Sequence, residues 1–155
     1  MKIKMLVMDV DGTLTDGRIY IGADGEIMKA FDVKDGYGIV QLRKNGILPV
    51  IITGRKSTIV EKRASELGIS ELYQGIHDKL NKLKEIAEKY DVKAEEIAYI
   101  GDDLNDLECM EYCGLSACPK DAVEAIKKSV SYVCKKKAGR GAVREFIDEK
   151  VLVKE

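Results

Sequence analysis

Three runs of almost unbroken apolar residues organise the chain: Lys4-Met5-Leu6-Val7-Met8, Leu48-Pro49-Val50-Ile51-Ile52 and Ile97-Ala98-Tyr99-Ile100. Each is short, without polar alternation, and bounded by polar or glycine residues, the pattern of a strand buried on both faces of a parallel sheet. Between them the apolar positions change to helical spacing. Gly36–Lys44 reads as a helix stopped by Asn45-Gly46, and Ser57–Leu67 places Ile59, Val60, Ala64 and Leu67 on one face before Gly68. Lys79–Tyr90 does the same with Leu80, Leu83, Ile86, Ala87 and Tyr90. Arg18–Ile21 and Ile27–Phe31, around Gly22-Ala23-Asp24-Gly25, predict a β-hairpin. Shorter strands are expected at Leu72-Tyr73, Leu115–Cys118 and Tyr132–Cys134, with helices through Met110, at Ala122–Lys128 and from Gly141. Strands alternating with amphipathic helices predict an α/β fold, a Rossmann-like parallel β-sheet with helices on both faces.

The 155 residues, 45% hydrophobic, suffice for one domain with its own core, so 1–155 is read as a single unit. A net charge of −1 gives no electrostatic basis for binding nucleic acid or an acidic membrane surface. No apolar run reaches the ~20 residues of a membrane helix. The first strand begins almost at Met1, so a cleaved signal peptide is not expected. Cys109, Cys113, Cys118 and Cys134 include no Cys-x-x-Cys pair and are read as reduced core thiols, which predicts a cytoplasmic protein.

Reactive groups of such sheets lie beyond the carboxyl ends of the strands. Polar clusters follow Val10, Ile52 and Ile100. Asp9-Val10-Asp11-Gly12-Thr13 sets two carboxylates at a strand end, and Gly101-Asp102-Asp103 with Asp106 adds three more. At ~4 Å and an effective dielectric near 20, each like-charged pair costs about 4 kcal/mol. A hard divalent cation such as Mg²⁺ relieves that repulsion; the same residues also suit turns and caps. Thr53-Gly54-Arg55, between a strand and a helix, offers a hydroxyl and backbone N–H groups to an anion, or an N-cap. Lys79 opens its helix, where the dipole disfavours a cation, so a specific task or plain surface exposure are both open.

Asp-x-Asp-Gly-Thr, Thr-Gly, a lysine and Gly-Asp-Asp-x-x-Asp occur here in one order, and with them the chain resembles the phosphatase branch of the haloacid dehalogenase superfamily over essentially its whole length. The resemblance implies a Mg²⁺-dependent phosphomonoesterase in which Asp9 is the nucleophile of an aspartyl-phosphate intermediate and Asp11 the general acid and base. It assigns Mg²⁺ to the Asp9 carboxylate, the Asp11 backbone carbonyl and Asp102, and the phosphoryl oxygens to Thr53, Gly54 and Lys79. Asp106 would orient Lys79, and Asp103 would order water around the ion.

Only about twenty residues separate Asp11 from Asp32–Tyr37, so a hairpin insertion, about 17–32, stands where many relatives carry a cap domain. Thr15-Asp16-Gly17, Asp35-Gly36-Tyr37-Gly38-Ile39, Ile51 to Arg55, Val60 to Arg63, Leu67-Gly68-Ile69, Gln74-Gly75, Asp78-Lys79 and Gly141 to Glu145 carry a closer resemblance, to the capless 3-deoxy-D-manno-octulosonate 8-phosphate phosphatases and their nonulosonate-9-phosphate relatives. Thr13, where many of them have valine, and Ala138, in place of a glycine, depart from it. The resemblance implies a homotetramer with packed hairpins and with each C-terminal tail, about 136–155, reaching a neighbour's site. The substrate it implies is a small phosphorylated acidic sugar, an octulosonate 8-phosphate. Arg55, Arg63, Arg140 and Arg144, with Lys136 and Lys137, are its candidate contacts, because guanidinium binds carboxylate bidentately. Nonulosonate 9-phosphates or a broad range of sugar phosphates are the alternatives, and a non-catalytic phosphosugar-binding subunit is a further one.

Overall fold

The computed structural model describes residues 2–154. Its strands are β1 (Met5–Met8), β2 (Tyr20–Gly22), β3 (Gly25–Met28), β4 (Leu48–Ile52), β5 (Glu71–Tyr73), β6 (Ile97–Ile100), β7 (Leu115–Cys118) and β8 (Tyr132–Val133). The helices are α1 (Val33–Lys44), α2 (Thr58–Glu66), α3 (Lys79–Lys89), α4 (Leu107–Tyr112), α5 (Glu124–Lys127) and α6 (Ala142–Phe146). Six strands form one parallel sheet in the order β5-β4-β1-β6-β7-β8. β1 lies between β4 and β6, with Met8 level with Ile51 and Ile100, so the three loops expected to carry chemistry leave the sheet side by side. This is the predicted α/β architecture.

The alternation of side chains along each strand divides the core in two. Leu6, Met8, Ile51 and Ile100 face α1, α2 and α6, while Met5, Val7, Val50, Ile97 and Tyr99 face α3, α4 and α5. Both faces are therefore covered, as the unbroken apolar runs require.

Helix α1 begins at Val33, three residues before the expected start. Asp32 caps it, its carboxylate accepting from the Lys34 and Asp35 N–H groups. Two glycines weaken the helical pattern there, but both are forced by packing. A Cβ on Gly36 would lie 2.5 Å from Arg63 Nη2, and one on Gly38 2.8 Å from Arg144 Cδ. Tyr90, expected inside the core, is partly exposed because its hydroxyl reaches the buried Glu71 carboxylate.

The β2–β3 hairpin is a separate two-stranded sheet, turned inside out relative to a soluble hairpin. Ile21 and Ile27 are 68% and 63% exposed, whereas the Lys29 side chain that follows β3 is 0% exposed.

The C-terminal helix, expected from Gly141, packs on its own sheet, because Val143, Phe146, Ile147 and Val151 repeat at helical spacing and are buried against the α1 face. No helix among the described residues is long and apolar enough to cross a membrane. All four cysteines are free, and burial pushes the Cys109 thiol up to about 12 and Cys118 to about 11.

Candidate active site

Asp9 follows the last residue of β1, and its N–H donates to the Ile100 carbonyl of β6 (3.1 Å), holding it at the junction of the two strands. The loop after it is wound tightly on one atom: the N–H groups of Thr13, Leu14 and Thr15 all point at the Val10 carbonyl, at 3.1, 2.9 and 3.1 Å. Gly12 has φ +85°, a conformation glycine adopts without strain, and a Cβ there would sit 2.0 Å from Asp102 Oδ2. Glycine is thus what admits Asp102 to the Asp9 loop. Thr13, fully buried, donates its hydroxyl to Asp102 Oδ1 at 3.4 Å, a bond that valine could not make.

Lys79, at the start of α3 yet buried, spans the cluster. Its ammonium lies 3.1 Å from Asp9 Oδ1 and 2.9 Å from Asp106 Oδ1. The cost of a cation at a helix N-terminus is offset by two carboxylates and by the Asp78 cap, which accepts from the Asn81 N–H. Burial alone would lower the Lys79 ammonium pKa, but Asp9 and Asp106 hold it above the ordinary lysine value.

Asp9, Asp102 and Asp106 each offer an oxygen within 4.8 Å of the others. Asp106 is already saturated: Oδ1 accepts from Lys79 and from the Tyr99 hydroxyl (2.7 Å), and Oδ2 from the N–H groups of Asp102 (3.1 Å) and Asp103 (3.4 Å). These bonds tie it to Lys79, Tyr99 and the loop backbone, and Asp9 and Asp102 are the carboxylates left over. Burial, with Asp106 adding repulsion, raises the Asp9 carboxyl; burial and the neighbouring Asp9 push Asp102 up to about 9. Two crowded carboxylates, of which only Asp9 touches the ammonium, are hard oxygen donors short of positive charge, which fits a divalent cation such as Mg²⁺.

The other candidates are placed as follows. Thr53 is buried at the end of β4, its N–H on the Tyr73 carbonyl (3.0 Å), and Gly54 is exposed next to it. Asp11 turns from the carboxylate cluster to Lys29, 2.5 Å away. Asp103 is exposed and caps the turn at Leu104–Asp106, accepting from the Leu104 N–H at 2.7 Å. Arg55 is exposed and lies 3.6 Å from Glu26. Arg63 and Arg144 are turned onto α1: Arg63 donates to the Asp32 carbonyl and covers the Phe31 ring, and Arg144 donates to the Lys34 carbonyl and covers the Tyr37 ring. Arg140 and Lys136 line an open hollow with Asp16 and Asp32, and Lys137 is exposed beside them. Sequence reasoning missed Tyr99 and the Lys29–Glu26 pair. Tyr99 reads as an ordinary strand residue, and the hairpin charges as solvent-facing.

A family model described as haloacid dehalogenase-like hydrolase matches residues 63–147. The 3-deoxy-D-manno-octulosonate 8-phosphate phosphatase of Escherichia coli (strain K12) is 47% identical over 146 residues, covering 94% of this chain and 78% of that protein. The crystal structure of the phosphatase of the same name from Yersinia pestis superposes with a TM-score of 0.92 at 47% identity, covering 94% of this chain and 79% of that one. The enzyme of that name from Moraxella catarrhalis, solved in complex with magnesium ion, phosphate ion and KDO, has a TM-score of 0.91 at 42% identity, with 94% and 84% covered. With the carboxylate cluster at the ends of β1 and β6 and the buried lysine on α3, these similarities establish that the chain belongs to the haloacid dehalogenase-like hydrolases, in the family of the 3-deoxy-D-manno-octulosonate 8-phosphate phosphatases.

Proposed function

We propose that the protein is a Mg²⁺-dependent phosphomonoesterase that hydrolyses 3-deoxy-D-manno-octulosonate 8-phosphate to the free sugar acid and phosphate. The observation that carries this reading is the buried Lys79 ammonium joining Asp9 to Asp106 with Asp102 alongside. Phosphate monoesters are among the slowest substrates to hydrolyse without a catalyst, so an anionic nucleophile needs concentrated positive charge around the phosphoryl group.

An Asp9 carboxylate oxygen attacks phosphorus in line with the ester bond, which breaks as Asp11 gives its proton to the departing alkoxide. Water then attacks the phosphorus of the aspartyl-phosphate, Asp11 takes the proton, and the P–O bond to Asp9 breaks to release inorganic phosphate. Thr53, the Gly54 N–H and Lys79 hold the phosphoryl oxygens through both steps, with Asp106 and Tyr99 fixing Lys79. Asp9, Asp102 and the Asp11 backbone carbonyl would hold Mg²⁺, which when bound offsets the negative charge of the phosphoryl oxygens.

Arg55, exposed beside the Thr53-Gly54 loop, is assigned to the sugar carboxylate, and Arg140 and Lys136 to a wider basic rim. The phosphatase unit spans residues 1–155 and works in the cytoplasm, where free thiols persist. Tyr20, Ile21, Ile27 and Met28 present an apolar surface on the hairpin that a homotetramer would cover. Light scattering after gel filtration checks that assembly, and a monomer would end it.

The decisive experiment measures kcat/KM for phosphate release from octulosonate 8-phosphate, nonulosonate 9-phosphates and hexose phosphates with Mg²⁺. A preference of at least ~100-fold for the octulosonate ester is expected, and equal values would remove the substrate assignment. Asp9→Asn should abolish turnover, and a variant within a few-fold of the unmodified enzyme would remove the covalent mechanism.

A further inference from the structure

The hairpin brings one fully buried charge into the molecule, and that charge lands on Asp11. The Lys29 side chain is 0% exposed although Met28 before it is 51% exposed. Its ammonium lies 2.5 Å from Asp11 Oδ1 and 3.0 Å from Glu26 Oε2. Glu26 is anchored in turn: its Oε1 accepts the Ser57 hydroxyl at 2.5 Å, and Ser57 caps α2 and donates its N–H to Gln74 at 2.9 Å. A chain of ion pairs and charge-assisted hydrogen bonds therefore runs from the first loop through the hairpin to the helix after the second loop.

Burying an ammonium is expensive, and the two carboxylates beside it are what make it tolerable. If Lys29 served only to fasten the hairpin, the Glu26–Ser57 bond would already do so without burying a cation. The contact that bond cannot replace is the one to Asp11. Asp11 sits in a loop whose backbone is fixed by Val10 and Thr15, but Lys29 is the group that fixes its carboxylate. Only Oδ1 is engaged, which leaves Oδ2 for a substrate oxygen.

We propose that Lys29 is a positioning residue that orients the Asp11 carboxylate for proton transfer, so that the short hairpin organises the acid–base step as well as any surface for assembly. This inference rests on the reading of Asp11 as the general acid and base. An alkoxide leaves with difficulty unless it is protonated, whereas p-nitrophenolate leaves without a proton. Loss of Asp11 orientation must therefore slow sugar phosphates more than p-nitrophenyl phosphate in kcat/KM, which reports the steps through leaving-group departure. Loss of folded enzyme lowers both alike.

The experiment compares kcat/KM for octulosonate 8-phosphate and p-nitrophenyl phosphate in the unmodified enzyme, Asp11→Asn, Lys29→Met and Lys29→Arg, all with Mg²⁺. Lys29→Met is expected to lose roughly 10–100-fold on the sugar phosphate and under about 3-fold on the aryl ester, a fraction of the ~10²–10⁴ carried by acid–base catalysis. Lys29→Arg should recover most of that loss. Equal losses on the two substrates, or no loss on the sugar ester, would overturn the proposal. Should Lys29→Met fail to fold by circular dichroism, Glu26→Gln, which frees the other side of the ammonium, must show the same ranking at smaller amplitude, and its absence overturns the proposal equally. An unmodified enzyme inactive on both esters, or an Asp11→Asn variant that loses equally on both, would instead overturn the underlying reading of the site.

Discussion

Gly12 and Asp102 occupy one space: the position a Cβ would take on Gly12 lies 2.0 Å from Asp102 Oδ2. The first and third loops are therefore interlocked, and the Asp102 carboxylate of one is seated against bare backbone of the other. Gly12→Ala adds a methyl group at φ +85° and pushes Asp102 away from Asp9. The left-handed backbone costs about 1–2 kcal/mol. Displacing Asp102 is the larger functional effect, and phosphatase kcat is expected to fall by more than ~100-fold. Urea unfolding and steady-state kinetics check the two separately, and a variant destabilised but fully active would show that Asp102 can move without consequence.

Lys79 is the one cation placed against both Asp9 and Asp106 among the described residues. Lys79→Met leaves these buried carboxylates without their ammonium, and breaking a buried pair in this way costs roughly 3–5 kcal/mol. Combining it with Asp106→Asn removes one of the stranded charges while keeping an acceptor for the Asp102 and Asp103 N–H groups and an NH₂ that donates to the Tyr99 hydroxyl, so the double variant should melt at a higher temperature than Lys79→Met alone. Both should lack activity. Thermal melts followed by circular dichroism decide the point, and additive losses of stability would mean that the two residues act independently.

Much of this site could be read in the sequence because its parts are tied to strand ends. Met8, Ile52 and Ile100 close apolar runs that only buried parallel strands explain, and the residues after them must meet if those strands are neighbours. Asp106 was legible as a member of the carboxylate cluster from its place after Gly101-Asp102-Asp103, although its four bonds were not. Lys29 was not legible, because a charged residue next to Met28 in a short hairpin normally faces solvent, and its burial depends on how the hairpin folds back over the first loop. Arg63 and Arg144 look like free cations in sequence; their contacts with α1 follow from Gly36 and Gly38, which let each side chain lie on the helix backbone. The last helix, expected from Gly141, packs where the spacing of Val143, Phe146 and Ile147 directs it.

Chelation should affect stability as well as turnover. Asp9 and Asp102 repel each other in the folded chain, so an ion bound between them stabilises only the native state. At a Mg²⁺ concentration 100 times its Kd the gain is about 2.7 kcal/mol, seen as a higher Tm with Mg²⁺ than with EDTA. Asp102→Asn should melt at nearly the same temperature in both and should lack Mg²⁺-dependent activity. A Mg²⁺-induced shift undiminished in that variant would move the ion to other ligands.

Asp35 gives the fold a pH dependence of its own, away from the metal site. It is 2% exposed on α1, its Oδ1 accepts the Arg144 N–H at 2.8 Å, and its Oδ2 is buried without a hydrogen-bond partner. Burial pushes its pKa up to about 6, against the opposing effect of the Arg144 N–H. The folded chain therefore holds a proton here at pH values where the unfolded chain, with a pKa near ~3.9, has released it. A carboxyl raised in this direction contributes stability that is fully present below the unfolded value and is lost as pH rises through about 6. Two pKa units at 1.36 kcal/mol each correspond to roughly 3 kcal/mol. Asp35→Asn keeps the acceptor for Arg144 and removes the titration. Glu26, Glu71 and Glu145, whose hydrogen-bonded carboxyls are held below their ordinary values, change stability in the opposite sense and remain in both proteins. The difference between the two proteins isolates Asp35. Urea unfolding at pH 4.5 and 7.5 should show the unmodified chain losing about 2 kcal/mol relative to the variant over that interval. Parallel pH profiles would mean that Asp35 is as well solvated in the folded chain as in the unfolded one.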